Sequence, residues 1–425
     1  MTQASWTIRG LRAALADGTA TPATLSEQAL ALSNGNHGQN TYLWQNAAWT
    51  RAEAERAQAM PHGPLWGLPV SVKDCFDLAG APTTCGTYFY RDLNGIATRD
   101  SWVVERLRAA GAVITGKTHL HPLAYGITGQ NPEYGDCLQP RDATALTGGS
   151  SSGAAASVQE GSAVIAIGTD TGGSVRVPAA LCGLAGYRAS IGHGDWRGGT
   201  HLAESFDTMG FLFRDLEDAP LLGDFFPAKD AAPARPFTRF AVVGDQFLHD
   251  CDPRIVDGLR ATAGELESLG LEASPIDTSW WEEAIEILAP IQAWEAARLH
   301  VAHFGQGLFN TIEPSIRERL EWGAAMGDAE IAALRERHQV FRSRFDALIA
   351  EHQLLMLPAA PLARLEAGAD HTRTRPRLVR YTAPFSLAGV PVVTVPCATG
   401  GMQLAAARGA DKALLELAAR LGASR

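Results

Sequence analysis

The sequence predicts an α/β protein built around a central sheet, and two observations carry that prediction. Short apolar runs patterned like strands alternate with segments of helical period along most of the chain. Hydrophobic residues make up 46% of the 425 and charged residues 19%, the balance of a globular chain with a sizeable core. No internal repeat is visible. Length alone accommodates two or three domains or one large α/β unit.

In chain order, residues 6–60 read as helical. Thr21-Pro22 opens a segment whose apolar positions Leu25, Ala29, Leu30 and Leu32 fall close to a 3.6-residue period. Trp49 to Met60 is rich in Ala, Glu and Arg, and Pro61-His62-Gly63-Pro64 stops it. Leu68 to Lys73 alternates like a strand, with Leu68, Val70 and Val72 on one face and Ser71 and Lys73 on the other. Ser101–Ala110 predicts a helix and Ala112–Thr115 a buried strand. Ser152–Glu160 predicts a helix of small residues, Ala163–Ile167 a strand, and Glu217–Phe226 an amphipathic helix. The Pro/Ala-rich stretch 227–237 reads as a linker. Beyond it come a strand at Phe240–Val243, helices near 253–269, 280–304, 313–320 and 328–350, strands at Leu354–Pro358 and Val390–Val395, and a closing helix over 410–422.

The bulk numbers exclude several classes of function. A net charge of −10 with no Lys/Arg run of five argues against a nucleic-acid surface. The six cysteines are widely spaced and form no CxxC pair, so reduced, buried thiols are expected rather than a disulfide framework. The N-terminal residues show neither the apolar run nor the cleavage pattern of a secretory signal, and no apolar stretch reaches ~18 residues. The expectation is a cytoplasmic protein.

The chemistry concentrates in Leu146–Gly186. Two Gly-Gly-Ser turns, Gly148-Gly149-Ser150 and Gly172-Gly173-Ser174, flank one short helix and one apolar strand. A nine-residue helix runs out ~13 Å at 1.5 Å per residue. The strand back covers ~20 Å at about 3.3 Å per residue, which can bring Ser174 near Ser150. Paired glycines leave consecutive N–H groups unobstructed over Thr171, Gly172, Gly173 and Ser174, the arrangement an oxyanion hole needs. A serine nucleophile also needs a base. None of the twelve histidines sits in a persuasive local motif, whereas Lys73 ends an apolar strand. A free lysine titrates near ~10.4, so neutrality at pH 7 costs roughly 4.6 kcal/mol unless burial lowers the pKa. Asp74 points to the opposite face if the strand continues. Ser150 can then relay a proton between Ser174 and Lys73.

Lys73 in GLPVSVKD, Ser150 in GGSSSG and Ser174 in GTDTGGSVRVPAALCG resemble the three catalytic positions of the amidase signature family, hydrolases with a Ser–cis-Ser–Lys triad. The likeness continues through GPLWGLPVSVKDCFDLAGAPTTCGT, GAVITGKTHLHPLAYGITGQNPEYG and SFDTMG. It covers 63–224 densely and returns in YTAPFSLAGVPVVTVP at 381–396. The resemblance implies one large domain over 1–425, with a central mixed sheet flanked by helices on both faces. Within it, 1–60 would form a helical N-terminal part, 61–226 the catalytic core and 238–425 a C-terminal part.

Residue by residue, the resemblance makes Ser174 the nucleophile, Ser150 the bridging serine on a cis peptide with Gly149, and Lys73 the base. Thr171, Gly172, Gly173 and Ser174 supply the oxyanion donors, and Asp170 pairs with Arg176 to brace the loop. Tyr125 and Thr128 lie near the acyl pocket. The implied activity is hydrolysis of a small carboxamide, or a related C–N bond, to carboxylate and ammonia or amine, with no metal or organic cofactor. The implied partners are a small-molecule amide and a second copy in a homodimer, with no nucleic acid and no membrane. An alternative within the same family is the A-type subunit of a tRNA-dependent glutamine amidotransferase. Pro122, a short C-terminal part and the lack of a basic patch count against it. A catalytically silent relative is disfavoured by the intact Lys/Ser/Ser set.

Three departures from the family pattern touch regions that shape substrate access: Pro122 in HLHPLAYG, the run Tyr187-Arg188-Ala189-Ser190, and a Gly/Ala-rich stretch after Val395 that looks like a trimmed loop. Other spellings carry less. Gly149–Gly153 matches G-x-S-x-G but lacks the apolar strand that must precede a nucleophile elbow. Asp170-Thr171-Gly172 has no second copy to form a carboxylate dyad. No Gly-Lys-Ser/Thr follows Gly148–Gly153 to make a phosphate loop. His119 and His121 have an H-x-H spacing without a matching carboxylate cluster. Trp280-Trp281 reads as packing, and Trp196-Arg197 as a substrate-facing or solvated loop.

Overall fold

A computed structural model of the chain describes residues 6–35, 39–226, 236–304 and 312–425. The strands are β1 (Tyr42–Trp44), β2 (Pro69–Lys73), β3 (Val113–Thr118), β4 (Leu138–Gln139), β5 (Asp142–Leu146), β6 (Ile165–Asp170), β7 (Ala185–Arg188), β8 (Thr208–Phe213), β9 (Arg239–Val243), β10 (Glu272–Ile276), β11 (Leu354–Pro358), β12 (Val392–Cys397) and β13 (Gly400–Ala406). The helices are α1 (Ile8–Ala16), α2 (Pro22–Gly35), α3 (Ala47–Gln58), α4 (Tyr88–Asn94), α5 (Trp102–Ala109), α6 (Ser152–Glu160), α7 (Arg176–Leu181), α8 (Pro253–Ser268), α9 (Glu283–Phe304), α10 (Pro314–Ala325), α11 (Asp328–His352), α12 (Thr374–Ala388) and α13 (Asp411–Ala423).

Eleven of these strands form one sheet in the order β1-β3-β2-β6-β8-β7-β12-β13-β11-β9-β10, and β4 pairs with β5. The sheet is mixed. β2 runs parallel to β3 and β6, and β9 runs parallel to β10 and β11. The strands between β6 and β11 pair antiparallel. Strand β7 joins β12 through Val392 opposite Arg188 and Val393 opposite Tyr187, so both halves of the chain build one sheet within a single domain.

Strand β2 shows why helices cover both faces. It is buried along its whole length. Val70 and Val72 pack in the same core cluster as Val103, Val104 and Leu107 of α5. On the other face, Ser71 Oγ lies 2.8 Å from Ser157 Oγ of α6. A strand buried on both sides must be apolar or paired at every position, and the hydroxyl of Ser71 is paired.

The structure departs from the sequence-based expectations in identifiable places. Residues 42–44 interrupt the helical N-terminal part as an edge strand antiparallel to β3, too short to show a period. The helix expected at 217–226 is a 3-10 helix over Leu216–Leu222, with Asp215 accepting the Glu217 N–H at its start. Pro220 lies inside it and has no N–H to continue an α-helical ladder. Beyond Val395 the chain turns back as the β12–β13 hairpin. Of the linker at 227–237, residues 227–235 lie outside the described residues; Pro236 and Phe237 lead into β9. Among the described residues no helix is long and apolar enough to cross a membrane.

Candidate active site

Lys73 ends β2 with its side chain fully buried. Its Nζ donates to Ser150 Oγ at 2.7 Å, Thr169 Oγ1 at 2.7 Å and Ser151 Oγ at 3.1 Å. Three hydroxyls thus surround the ammonium position, and no carboxylate pairs with it among the described residues. Burial pushes the Lys73 amine down to about 8, against weaker pulls from Cys75, Asp207 and Asp170. The neighbouring Asp74 turns away. It forms a buried ion pair with Lys117 Nζ at 2.6 Å and accepts the Thr84 N–H at 3.0 Å. Lys117 is held in place by Pro82 O at 2.6 Å and Thr83 Oγ1 at 2.7 Å. Burial lifts Asp74 above the ordinary carboxylate range, only partly offset by Lys117 and Thr84.

Ser150 is fully buried at the entry to α6, and its peptide bond with Gly149 is cis. The Gly149 N–H donates to Ile127 O at 2.8 Å, and Ser150 O accepts the His121 N–H at 3.2 Å. The first turn of α6 presses so closely on the 119–121 segment that a Cβ at Gly153 would lie 2.1 Å from Thr41 O and 2.5 Å from His119 N. That approach requires glycine.

Ser174 lies in the loop between β6 and α7, and its carbonyl accepts the Ser151 N–H at 3.2 Å. This bond ties the two serine turns together. Asp170 organises the loop from below. It accepts the N–H groups of Gly173 at 2.9 Å, Val175 at 3.0 Å and Arg176 at 3.3 Å. Arg176 clamps it with Nε at 3.0 Å and Nη2 at 2.8 Å, and Arg188 Nε lies 3.3 Å away. Burial alone would raise the Asp170 carboxyl, but Arg176 and Arg188 outweigh it and hold the group well below the usual range. Thr171 Oγ1 donates to Asp207, and Thr382 Oγ1 to Gly172 O. Gly173 has φ +118°, and a Cβ there would meet Thr382 Oγ1 at 2.7 Å. With Gly173 N–H engaged by Asp170, the N–H groups of Thr171, Gly172 and Ser174 have no acceptor among the described residues.

Ser174, only 6% exposed, borders a narrow cleft together with Tyr125, Gly172, Leu288, Gln292 and Arg375. The free space there is about 20 Å³, room for a single water. Roomier cavities, such as one of about 890 Å³ between Ser190 and Arg408, contain none of these hydroxyls. The amidase family matches residues 24–415.

The chain belongs to the amidase family. It is 30% identical to the indoleacetamide hydrolase of Pseudomonas savastanoi, over 96% of this chain and 94% of that protein. It is also 30% identical to the A-type subunit of the glutamyl-tRNA(Gln) amidotransferase of Chloroflexus aurantiacus, over 92% of this chain and 90% of that protein. A crystal structure of an amidase superposes with a TM-score of 0.88 at 28% identity, covering 98% of this chain and 99% of that one. As an amidase-family enzyme, this protein is a hydrolase of carbon–nitrogen bonds other than peptide bonds.

The amidase architecture accounts for the remaining residues singled out in the sequence. Tyr125 lines the cleft; Thr128 does not, and its hydroxyl donates to Gln130 Oε1 at 3.2 Å. Pro122 begins a tight turn with Leu123 and Ala124 at positive φ, which leads into the cleft wall. Tyr187 and Ser190 bond Asp411 of α13, away from the cleft. His119 Nε2 contacts Gly135 O at 2.9 Å, and burial pushes its imidazole down to about 4. His121 is buried beside Gly126 and is likewise pushed well down. Trp281 is core, Trp196 stacks on His201, and Arg197 pairs with Glu105 on the surface.

Sequence reasoning missed Ser151 and Thr169 around Lys73, and Asp207, Arg188 and Thr382 around the 170–174 loop. Gln403 of the hairpin also belongs here, accepting from Arg176 Nη1 at 2.8 Å. A signal existed for the first pair. A buried lysine without a carboxylate needs hydroxyl acceptors, and GTDTGGS and GGSSSG supply surplus ones. Arg188, Asp207 and Thr382 stand in runs quoted above, but nothing local marks their contact with the loop, which the fold alone makes.

Proposed function

We propose that this amidase hydrolyses a small carboxamide, or a related carbon–nitrogen bond, to a carboxylate and ammonia or an amine through an acyl-enzyme on Ser174. The observation that carries the proposal is a fully buried lysine amine, pushed down to about 8, donating to the Ser150 hydroxyl at 2.7 Å. Neutralising such a lysine at pH 7 costs about 1.4 kcal/mol, against about 4.6 for a free one.

The steps follow. Ser174 Oγ attacks the carbonyl carbon while its proton moves to Ser150 Oγ and the Ser150 proton moves to Lys73 Nζ. The carbonyl oxygen becomes an oxyanion in the main-chain nest formed by Thr171, Gly172, Gly173 and Ser174. Thr171, Gly172 and Ser174 are the donors free to hold it, while Gly173, bonded to Asp170, shapes the nest. Each such donor contributes ~2.7–4 kcal/mol to lowering the barrier. Collapse expels the amine, which takes a proton back through Ser150. Water then attacks the ester by the same relay and releases the carboxylate. Asp170 and Arg176 position the loop, and Tyr125 walls the cleft. The chemistry needs no metal and no organic cofactor. We place the enzyme in the cytoplasm, acting on a small molecule as a homodimer, with no role for nucleic acid or membrane.

Ammonia release from primary amides, and amine release from N-substituted ones, by the purified chain tests the reading. Ser174→Ala should abolish turnover; retained turnover would overturn the assignment. The likeness to an amidotransferase component favours a second reading, as the A-type subunit of a tRNA-dependent glutamine amidotransferase. Strict glutaminase activity that rises when the other components of such a complex are co-expressed would support it. Steady hydrolysis of other amides by the isolated chain would exclude it.

A further inference from the structure

The cleft beside Ser174 holds a positive charge that no described residue neutralises. Arg375, in the first turn of α12, lines that cleft. Its enclosed Nε has no hydrogen-bond partner, and its guanidinium makes no hydrogen bond and no ion pair among the described residues. Arg176, also buried near the site, is by contrast matched by Asp170, Gln403 Oε1, Thr382 O and Ser386 Oγ. A second cation stands close by. Arg319 of α10 lies over the Tyr125 ring, 4.3 Å from its centroid, and donates to Tyr125 O and to Ser315 O at 2.8 Å.

Electrostatics sharpen the contrast. Burial, joined by the like charge of Arg375, pushes Arg319 down to about 9, with Tyr125, Glu313 and Glu318 offsetting part of the shift. Burial lowers Arg375 as well, and the neighbour that favours its charge is a tyrosine, Tyr125, not a carboxylate. A partly buried guanidinium with an unmet fork of donors, beside a second cation, is costly in the empty enzyme. A bound carboxylate would meet that fork with parallel, charge-assisted bonds.

We propose that Arg375, supported by Arg319 behind Tyr125, recognises a carboxylate on the substrate, so that this enzyme acts on amides whose acyl or amine part ends in an anionic group. The proposal deepens the reading above and rests on Ser174 as the reacting centre. Arg375 and Ser174 line the same cleft, which sets a second condition: the carboxylate and the scissile amide are separated by a short spacer. Monoamides of short dicarboxylic acids have both features. Gln292 of α9, on the same wall, is placed to hydrogen-bond the polar end of such a molecule.

Binding separates this proposal from the catalytic one. Calorimetry on the Ser174→Ala protein would compare oxamate, malonamate, succinamate and glutaramate with primary amides of equal chain length that lack the carboxylate. At least one monoamide should bind about 30-fold or more tighter than its neutral counterpart. Arg375→Met should shrink that preference to about threefold or less, and Arg375→Lys, which keeps the charge but not the fork, should fall between. Melting temperatures check that both variants are folded. Equal binding of charged and neutral amides, or a preference that survives Arg375→Met, would overturn the proposal. Turnover with Ser174 present is read separately. Carboxylate preference without Ser174-dependent hydrolysis would leave the subsite standing and sink the catalytic reading, and hydrolysis without preference would do the reverse.

Discussion

Lys73 Nζ and Ser150 Oγ, from residues far apart in the chain, meet at 2.7 Å with both side chains fully buried. The contact depends on a choice made one residue later. Asp74 follows the alternation of β2 and turns to Lys117, 2.6 Å away, so its charge does not fix a proton on Lys73.

The pH dependence of kcat/KM follows from that separation. In the proposed relay Lys73 acts as a base only when neutral, and burial pushes its amine down to about 8. Activity should therefore rise about tenfold per pH unit below 8 and level off above it. A pH–rate profile with a neutral amide checks this. A midpoint near the ordinary histidine value would point to a different base.

The Asp74–Lys117 pair should prove structural. Lys117→Met leaves a buried carboxylate without its partner, a change that typically costs ~3–5 kcal/mol. The melting temperature should fall steeply. Adding Asp74→Asn should recover part of the loss, because the unmatched charge is gone. If the single and double variants melt alike, the two side chains are not energetically coupled.

How much was legible in the sequence follows from how local each signal is. Ser150 and Ser174 stand out because glycines frame them, and Lys73 because it ends a short apolar strand. The body of β2, the strands β9 and β11, and the long helices α8 and α11 announce themselves by pattern within a few residues. Strand β7 does not, because its edges are fixed by β8 and by β12, some 200 residues on. Thr382 and Gln403 reach the 170–176 loop from equally distant segments. Arg375 was invisible for a related reason. An arginine in a run of arginines looks solvated, and only the fold turns this one toward Ser174.

Asp170→Asn should loosen the loop and change acid stability. The folded carboxyl is held below its unfolded value of about 3.9. Its stabilising contribution is therefore complete above that pH and is lost as pH falls through the folded value. Wild type should lose stability through this acid window, and the variant should show a smaller pH dependence there together with a lower baseline at neutral pH. Chemical denaturation at a series of pH values reads both effects. Parallel curves for the two proteins would contradict the role given to Asp170.

Gly173→Ala should damage catalysis out of proportion to folding. The position has φ +118°, and a Cβ would meet Thr382 Oγ1 at 2.7 Å. Moving that loop misaligns the amides around Ser174, and loss of one oxyanion donor lowers kcat by about 10²–10³. Steady-state kinetics beside a melting curve test it. Unchanged kcat would show that the loop tolerates the shift and that the oxyanion is held elsewhere.

The proposed chemistry stands on nucleophilic attack by Ser174 with Lys73 as the ultimate proton acceptor. Peptide mass spectrometry after brief exposure to a fluorophosphonate measures it most directly. A single adduct is expected on the peptide containing Ser174, absent in Ser174→Ala and formed far more slowly in Lys73→Ala. An adduct on another residue, or labelling at an undiminished rate without Lys73, would contradict it.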